Sequence, residues 1–252
     1  MPGENERKGS VIMSNADNGI RINKYLSEAG VCSRREADRY IIEGKVKIDG
    51  VIAEIGSRVK PGSRVTFNGK PVKSKDKRVL IAFNKPAGIV CTTSQKEPDN
   101  IVDFINFPTR IYPIGRLDKE SEGLILLTND GSIVNSILRA RYGHEKEYIV
   151  TVNKEITDDF VRRMSEGVPI LDTVTKPCKI IVINKYSFRI ILSQGLNRQI
   201  RRMCEYLGYR VVRLVRIRIM NITLGNLKSG AWRNITGKEL EELNRLIGDN
   251  KD

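Results

Sequence analysis

The sequence predicts an α+β protein. A small basic N-terminal domain is followed, through a short linker, by a larger domain with a mixed, mainly antiparallel sheet flanked by helices. Three observations predict this. Several β-branched or continuous apolar runs follow one another with no helix between them, which favours antiparallel pairing over a regular strand–helix alternation. Four helical patterns lie among these runs, two of them opened by cap signals at Thr157 and Thr236. Basic residues crowd toward the front: residues 20–78 hold 15 Lys and Arg against 7 Asp and Glu, more than half of the chain's net +14 in under a quarter of its length.

Residues 1–19 are polar and rich in Gly, Asn and Ser, and a disordered leader is expected there. The basic domain is expected over residues 20–67. Tyr25 and Leu26 belong to a short helix that Gly30 can end in a left-handed conformation. Ser33 and Glu36 have the spacing of a capping box opening a second helix over residues 34–43, with Arg34, Arg35 and Arg39 together on its solvent side. Val46, Ile48, Val51 and Ala53 flank Asp49-Gly50, a hairpin signal, and Val65 and Phe67 precede another at Asn68-Gly69. Residues 68–78, with Gly69, Pro71 and five cations, read as the linker, and the large domain takes residues 79–252. Its expected strands cover residues 79–83, 124–127, 148–152, 178–183, 188–192 and 211–222. Its expected helices cover residues 133–138, 160–164 (capped by Thr157 and stopped by Gly167), 198–207, and a last one after a T-x-x-E box at Thr236 and Glu239.

Composition narrows the function. The excess of cations favours a polyanionic partner, because each neutralised phosphate releases a condensed counterion. A membrane partner is not expected, since the cations are spread through folded-looking sequence and no apolar run has the length of a spanning helix. Cys32, Cys91, Cys178 and Cys204 are far apart, and no secretory signal precedes them; free thiols in the cytoplasm are expected. His144 is the only histidine, so a His/Cys zinc site has almost nothing to build with, and no metal is expected. Neither a P-loop nor a GxGxxG turn is present, and no cofactor is expected. Chemistry must rest on carboxylates, tyrosines and arginines.

The segment YPIGRLDKESEGLILLTNDG, residues 112–131, sets Asp118 on a loop between Gly115 and a strongly apolar strand opened by Gly123. Such a loop has the rigid support a catalytic group needs. Taken alone, Asp118 is more often a helix cap or the partner of Arg116 in an ion pair. On the helix at residues 198–207, Ile200, Met203, Cys204 and Leu207 make a core face. Arg198, Arg201 and Arg202 crowd its N-terminal end. Cations there oppose the helix dipole and call for an anion, either phosphate or a carboxylate.

Two stretches resemble known families. RINKYLSEAGVCSRREADRYIIEGKVKIDG resembles the S4-type, or alpha-L, RNA-binding domain. GRLDKESEGLILLTND, followed in order by HEKEYIVTV, GVPILDTVTKPCKI, QGLNRQIRRMCEYLGY and RIRIMNITLG, resembles the pseudouridine synthases of the RsuA/RluB/RluF branch. This implies isomerisation of a uridine in large-subunit (23S) ribosomal RNA with no cofactor; a monomer is expected. It also implies that Asp118 is the essential catalytic group, Tyr148 the active-site tyrosine, and Arg201 the residue that pairs with and orients Asp118. Leu214 then packs against the target base, with Arg216 beside it. Arg116 joins the substrate contacts, and Arg198 and Arg202 meet RNA phosphate. Lys85-Pro86-Ala87-Gly88 resembles a structural turn of the family, and His144 is expected to make a local or RNA contact. The residues themselves leave rivals: the same reaction on a tRNA anticodon stem-loop or small-subunit RNA, a non-catalytic ribosome-assembly protein, or a glycoside hydrolase, for which Asp118 lacks an evident acid partner.

Overall fold

The computed structural model describes residues 19–72, 78–138 and 143–248. The chain divides into two compact units between Asp76 and Lys77. The expected leader, Gly19 excepted, lies outside the described residues, as do residues 73–77 of the expected linker.

The small unit runs β1 (Ile20–Arg21), α1 (Ile22–Glu28), α2 (Arg34–Ile42), β2 (Val46–Ile48), β3 (Val51–Ile52), β4 (Arg58–Val59), β5 (Val65–Phe67) and β6 (Lys70–Pro71). Helix α1 ends at Ala29, and Gly30 follows at φ 77°. Both hydrogen bonds of the capping box open α2: Ser33 Oγ accepts from the Glu36 N–H at 3.2 Å, and a Glu36 carboxylate oxygen accepts from the Ser33 N–H at 2.7 Å. One face of each helix buries Ile22 and Leu26, and Ala37 and Ile41, against Val46, Val59 and Val65. Arg34, Arg35 and Arg39 stay exposed on the other side of α2. The sheet has the order β3-β2-β5-β6, with its hairpin turns at Asp49-Gly50 and Asn68-Gly69, where all four residues have positive φ. The unit therefore continues past residue 67: Lys70–Pro71 pairs with β5, and the Val72 N–H donates to the Val65 carbonyl at 2.9 Å. The first residues expected as linker are strand, because Asn68-Gly69 turns the chain back on itself.

The large unit runs β7 (Leu80–Lys85), α3 (Ile101–Ile105), β8 (Tyr112–Ile114), β9 (Glu122–Thr128), α4 (Val134–Leu138), β10 (Lys146–Val152), α5 (Asp158–Glu166), β11 (Pro169–Ile170), β12 (Thr173–Val174), β13 (Lys179–Asn184), β14 (Ser187–Leu192), α6 (Gln199–Tyr206), β15 (Val211–Ile219), β16 (Ile222–Thr223), β17 (Trp232–Asn234) and α7 (Gly237–Gly248). Its main sheet has the order β13-β14-β10-β15-β9-β7-β17, with β16 on β15 and β8 on β9. Among the described residues every pairing in it is antiparallel except β15 with β9, where Arg216 lies beside Gly123. This is the mixed, mainly antiparallel sheet read from the sequence.

Helices α5 and α6 cover one half of the sheet, burying Phe160, Met164, Ile200 and Met203 against Val150, Phe188, Ile190 and Leu214. Helix α7 covers the other half, packing Leu243 and Ile247 on Leu80, Leu124 and Leu126. The opposite face of β7 and β9 is filled by Ile81, Phe83, Ile125 and Leu127 with Ile101 and Ile111. Strand β9 is thus buried on both faces, which explains its unbroken apolar run. At the far edge, β13 shows Ile181, Val182 and Ile183 to solvent between Lys179 and Lys185.

Two expectations are corrected here. The run at residues 211–222 is not one strand, because Met220, at φ 53°, turns the chain between β15 and β16. The Thr236/Glu239 box does not close: Arg233 takes both Glu239 carboxylate oxygens, at 2.6 and 2.8 Å.

Candidate active site

The loop from β8 to β9 carries Asp118, and its backbone is fixed from below. Leu117 is buried in the core under β7 and β9, and its N–H donates to Cys91 Sγ at 3.4 Å. Burial pushes the Cys91 thiol up, away from the thiolate. The Lys119 carbonyl accepts from the Gly88 N–H at 2.8 Å and from Lys85 Nζ at 3.2 Å. Lys85, fully buried, also donates to the carbonyls of Pro86 and Ile89, each at 2.8 Å. The Lys85-Pro86-Ala87-Gly88 turn is structural in a definite sense: one ammonium group ties three carbonyls, one of them next to Asp118. Burial lowers the pKa of Lys85, so the ammonium is held against a desolvation cost by these acceptors. Lys85→Met is expected to lower the unfolding free energy by about 2–4 kcal/mol, since it leaves three carbonyls short of a donor. Thermal and urea melts check this, and a variant as stable as wild type would contradict it.

The Asp118 carboxylate faces two guanidinium groups from the start of α6. Arg201 Nε lies 3.7 Å from Asp118 Oδ2, and Arg201 Nη2 donates to Ser121 Oγ at 3.2 Å. Ser121 is fully buried, and its N–H donates back to the Asp118 carbonyl at 3.1 Å, so both residues are referred to the same short turn. Arg198 Nη1 lies 3.6 Å from Asp118 Oδ2 and 3.3 Å from Glu120. Arg198 reaches them because it is the N-cap of α6 at φ 50°, φ being positive where a helical residue would be negative. Two of the three cations that oppose the helix dipole, Arg198 and Arg201, thus find their anion within the protein. The ion pair of Asp118 with Arg116 is not formed; Arg116 lines the cleft but is exposed to solvent.

Asp118 opens onto a cleft of about 260 Å³. Tyr148 of β10, half-buried, stands across from β15 with its ring centroid 6.0 Å from the Arg216 guanidinium carbon. Leu214 lines the same cleft while also belonging to the core beneath α6. Arg216 is almost wholly buried and donates from Nε to the Leu124 carbonyl at 2.7 Å. Of the residues expected at the site, Asp118, Tyr148, Arg201, Arg116, Arg198, Leu214 and Arg216 share this one cleft. Arg202 does not line it; its guanidinium holds the carbonyl and side-chain oxygen of Asn197. His144 is not placed for RNA contact, being buried with Nδ1 3.1 Å from the Ile137 carbonyl.

Sequence reading misses Ser121 and Lys146. Lys146 starts β10, lines the cleft two residues from Tyr148, and reaches the His144 carbonyl at 3.5 Å. The signal that could have found it is spacing: in a strand, residues two apart share a face.

The sequence profile of the RNA pseudouridylate synthases matches residues 79–206, and that of the S4 domain matches residues 20–65. The dual-specificity RNA pseudouridine synthase RluF of Escherichia coli K12 is 58% identical over 92% of this chain and 80% of its own. Ribosomal large subunit pseudouridine synthase B of Bacillus subtilis is 33% identical over 92% of this chain and 98% of its own. A crystal structure of a pseudouridylate synthase superposes with a TM-score of 0.65 at 28% identity, covering 90% of this chain and all (100%) of that one. Within the branch, the motifs of this sequence resemble large-subunit synthase F, in agreement with the RluF relatives. The chain belongs to the RNA pseudouridylate synthase family, enzymes that isomerise uridine in RNA, and carries an S4 domain ahead of the synthase fold.

Proposed function

We propose that this enzyme isomerises one uridine of large-subunit (23S) ribosomal RNA, with Asp118 as the essential carboxylate, acting as a monomer in the cytoplasm. The observation that carries the assignment of the cleft is the convergence of one carboxylate, two arginines, a tyrosine and a leucine around a small pocket. At about 260 Å³ the cleft lies just below the ~300–1,000 Å³ of most ligand pockets, a size that suits a single flipped nucleoside. The ribosomal target rests on the B. subtilis relative, whose name specifies the large ribosomal subunit. The cleft is complete within one chain, which supports a monomer.

The target uridine turns out of its stack and its base enters the cleft. Leu214 lies against one face of the uracil and the Tyr148 ring against another side. Arg201 and Arg198 hold the Asp118 carboxylate in place. Asp118 either attacks C1′ or takes a proton from the ribose; by either route the C1′–N1 bond breaks with its electron pair left on the uracil. The base then turns and C5 joins C1′. On the first route this releases the Asp118 carboxylate from C1′; on the second, Asp118 returns the ribose proton. The C5 proton leaves, with the Tyr148 hydroxyl in reach of it, and N1 gains a proton. Arg116, on the cleft wall, and Arg202, outside it, meet backbone phosphate.

Mapping pseudouridines by carbodiimide-dependent primer extension, in cells with and without the protein, tests the assignment. Loss of a stop in 23S RNA, restored by wild type but not by Asp118→Asn, is expected. No lost stop in any RNA, with the protein expressed, would overturn it. A second RNA substrate, such as a tRNA, is favoured by one specific observation: relatives at 58% identity are named as dual-specificity enzymes. That reading predicts a second lost stop.

In the small unit, Arg34, Arg35 and Arg39 are exposed on one helix, which supports a role for them in meeting phosphates. Replacing all three with Gln is expected to weaken binding to a large RNA fragment. The salt dependence should flatten by roughly 0.7–0.9 in log–log slope for each phosphate that the variant no longer neutralises. Filter binding between low and moderate salt measures it; an unchanged slope would remove the assigned role of α2.

A further inference from the structure

Besides the exposed Arg116, the cleft holds two cations, both withdrawn from solvent, that the placement of Asp118 does not use. Arg216 commits Nε to the Leu124 carbonyl, while its Nη2 is enclosed and has no acceptor. Lys146 offers three donors and finds one acceptor at the outer limit of hydrogen bonding, the His144 carbonyl at 3.5 Å. Neither has an ion pair with a carboxylate among the described residues; Asp118, in the same cleft, is taken by Arg198 and Arg201. Strand pairing sets Lys146 and Arg216 close together: β10 runs antiparallel to β15, with Tyr148 beside Arg216 and Lys146 beside Ile219. Burial and the neighbouring Arg216 charge both lower the pKa of Lys146. Two like charges are thus held in one wall with their acceptors missing, which costs free energy in the empty protein. Such an arrangement is stable to the extent that a ligand supplies negative charge or carbonyl oxygens.

We propose that Lys146, with Arg216, forms the subsite for the carbonyl oxygens of the target uracil and for the uracil anion released when its glycosidic bond breaks. The inference rests on the cleft being the isomerisation site. When C1′–N1 breaks, the electron pair stays on the base, and the negative charge spreads from N1 onto O2 and O4. When C5 bonds to C1′, the charge is consumed, the C5 proton is lost and N1 gains a proton, so the net reaction is an isomerisation. The anion exists only between these events. Donors fixed where it forms lower the barrier to cleavage and keep the base from leaving while it turns. The same donors select the base: Lys and Arg only donate, and cytosine presents an amino group, another donor, where uracil has O4.

Single-turnover rates on an RNA substrate test this, together with RNA affinity and melting temperature for each variant. Lys146→Met is expected to slow the chemical step by about 100-fold, in the range found for loss of one oxyanion donor, with RNA affinity within about twofold of wild type. Lys146→Arg should recover most of the rate. Substrates with 2-thiouridine or 4-thiouridine at the target supply a readout that a purely structural lysine would not move. The effect of exchanging oxygen for sulfur on the rate should differ between wild type and Lys146→Met for at least one of the two positions. Rates for Lys146→Met equal to wild type, or sulfur effects identical in both proteins at both positions, overturn the inference. Asp118→Asn is run alongside: if it is active, the reading of the cleft itself fails. If it is inactive while Lys146→Met is fully active, only the uracil subsite fails.

Discussion

Asp118→Asn is expected to reduce pseudouridine formation by about 10⁴-fold or more, at the upper end of what a positioned acid–base group contributes, while folding and RNA affinity stay close to wild type. The reason lies in how the partners of Asp118 are held. Arg201 keeps its hydrogen bond to Ser121, and Arg198 keeps its ion pair with Glu120, so neither guanidinium is stranded when the carboxylate charge is removed. The loop keeps its own supports, since Leu117, Lys119 and Ser121 are held through backbone atoms that the substitution does not touch. Asn matches Asp in shape and lacks only the charge and basicity that the reaction requires. Single-turnover assays with saturating enzyme separate rate from affinity. Turnover within tenfold of wild type would mean that another group performs the step.

Gly123→Ala is the second large effect, and it acts on the fold. Gly123 has φ 99°, and an added Cβ would lie 2.3 Å from the Arg216 carbonyl oxygen and 2.8 Å from its nitrogen. Those atoms are backbone of β15, on the parallel pairing in the sheet, and β7 closes the other side through Lys85. No side chain can move aside; the two halves of the sheet must part locally. A loss of about 4 kcal/mol is expected, at the large end for a single substitution, with a fall in melting temperature of roughly 10 °C for a unit of this size. Gly131→Ala is the control. Gly131 is not in the left-handed region, and an added Cβ would meet only the Tyr112 hydroxyl, at 3.1 Å. If both variants melt within about 2 °C of wild type, the junction is more yielding than its geometry implies.

How much is legible in the sequence follows from how local each signal is. The Ser33/Glu36 box, the Thr157 cap and the Asp49-Gly50 and Asn68-Gly69 turns are decided within a few residues, and each forms as expected. The Thr236/Glu239 box has the same pattern but loses Glu239 to Arg233, a partner that only the placement of β17 brings near. Short elements such as β8, β17 and α3 mix Pro, charged and aromatic residues and carry no clean period, so sequence patterning does not reveal them. In the cleft, Asp118 and Arg201 are connected only through family resemblance, since residues 83 positions apart have no spacing rule to join them. Arg198 is assigned to phosphate only by the resemblance; its left-handed backbone, which no local pattern signals, accompanies an ion pair with Asp118. For Lys146 the sequence carries half of the signal: the two-residue spacing puts it on the face of Tyr148, but nothing in a strand tells that Arg216 will flank it.

The outer strand β13 has a practical consequence. Its edge, with no partner strand among the described residues and with Ile181, Val182 and Ile183 exposed, is a template on which a second chain could add, and Lys179 and Lys185 are the charges that discourage it. Repulsion between such lysines acts over about 10 Å at 0.1 M ionic strength and about 3 Å at 1 M. The high salt needed to strip adhering cellular RNA from so cationic a protein therefore also disarms its guard against clumping. Preparations should be stripped briefly and returned to moderate salt before they are concentrated, and a charge placed at Val182 would make that step forgiving.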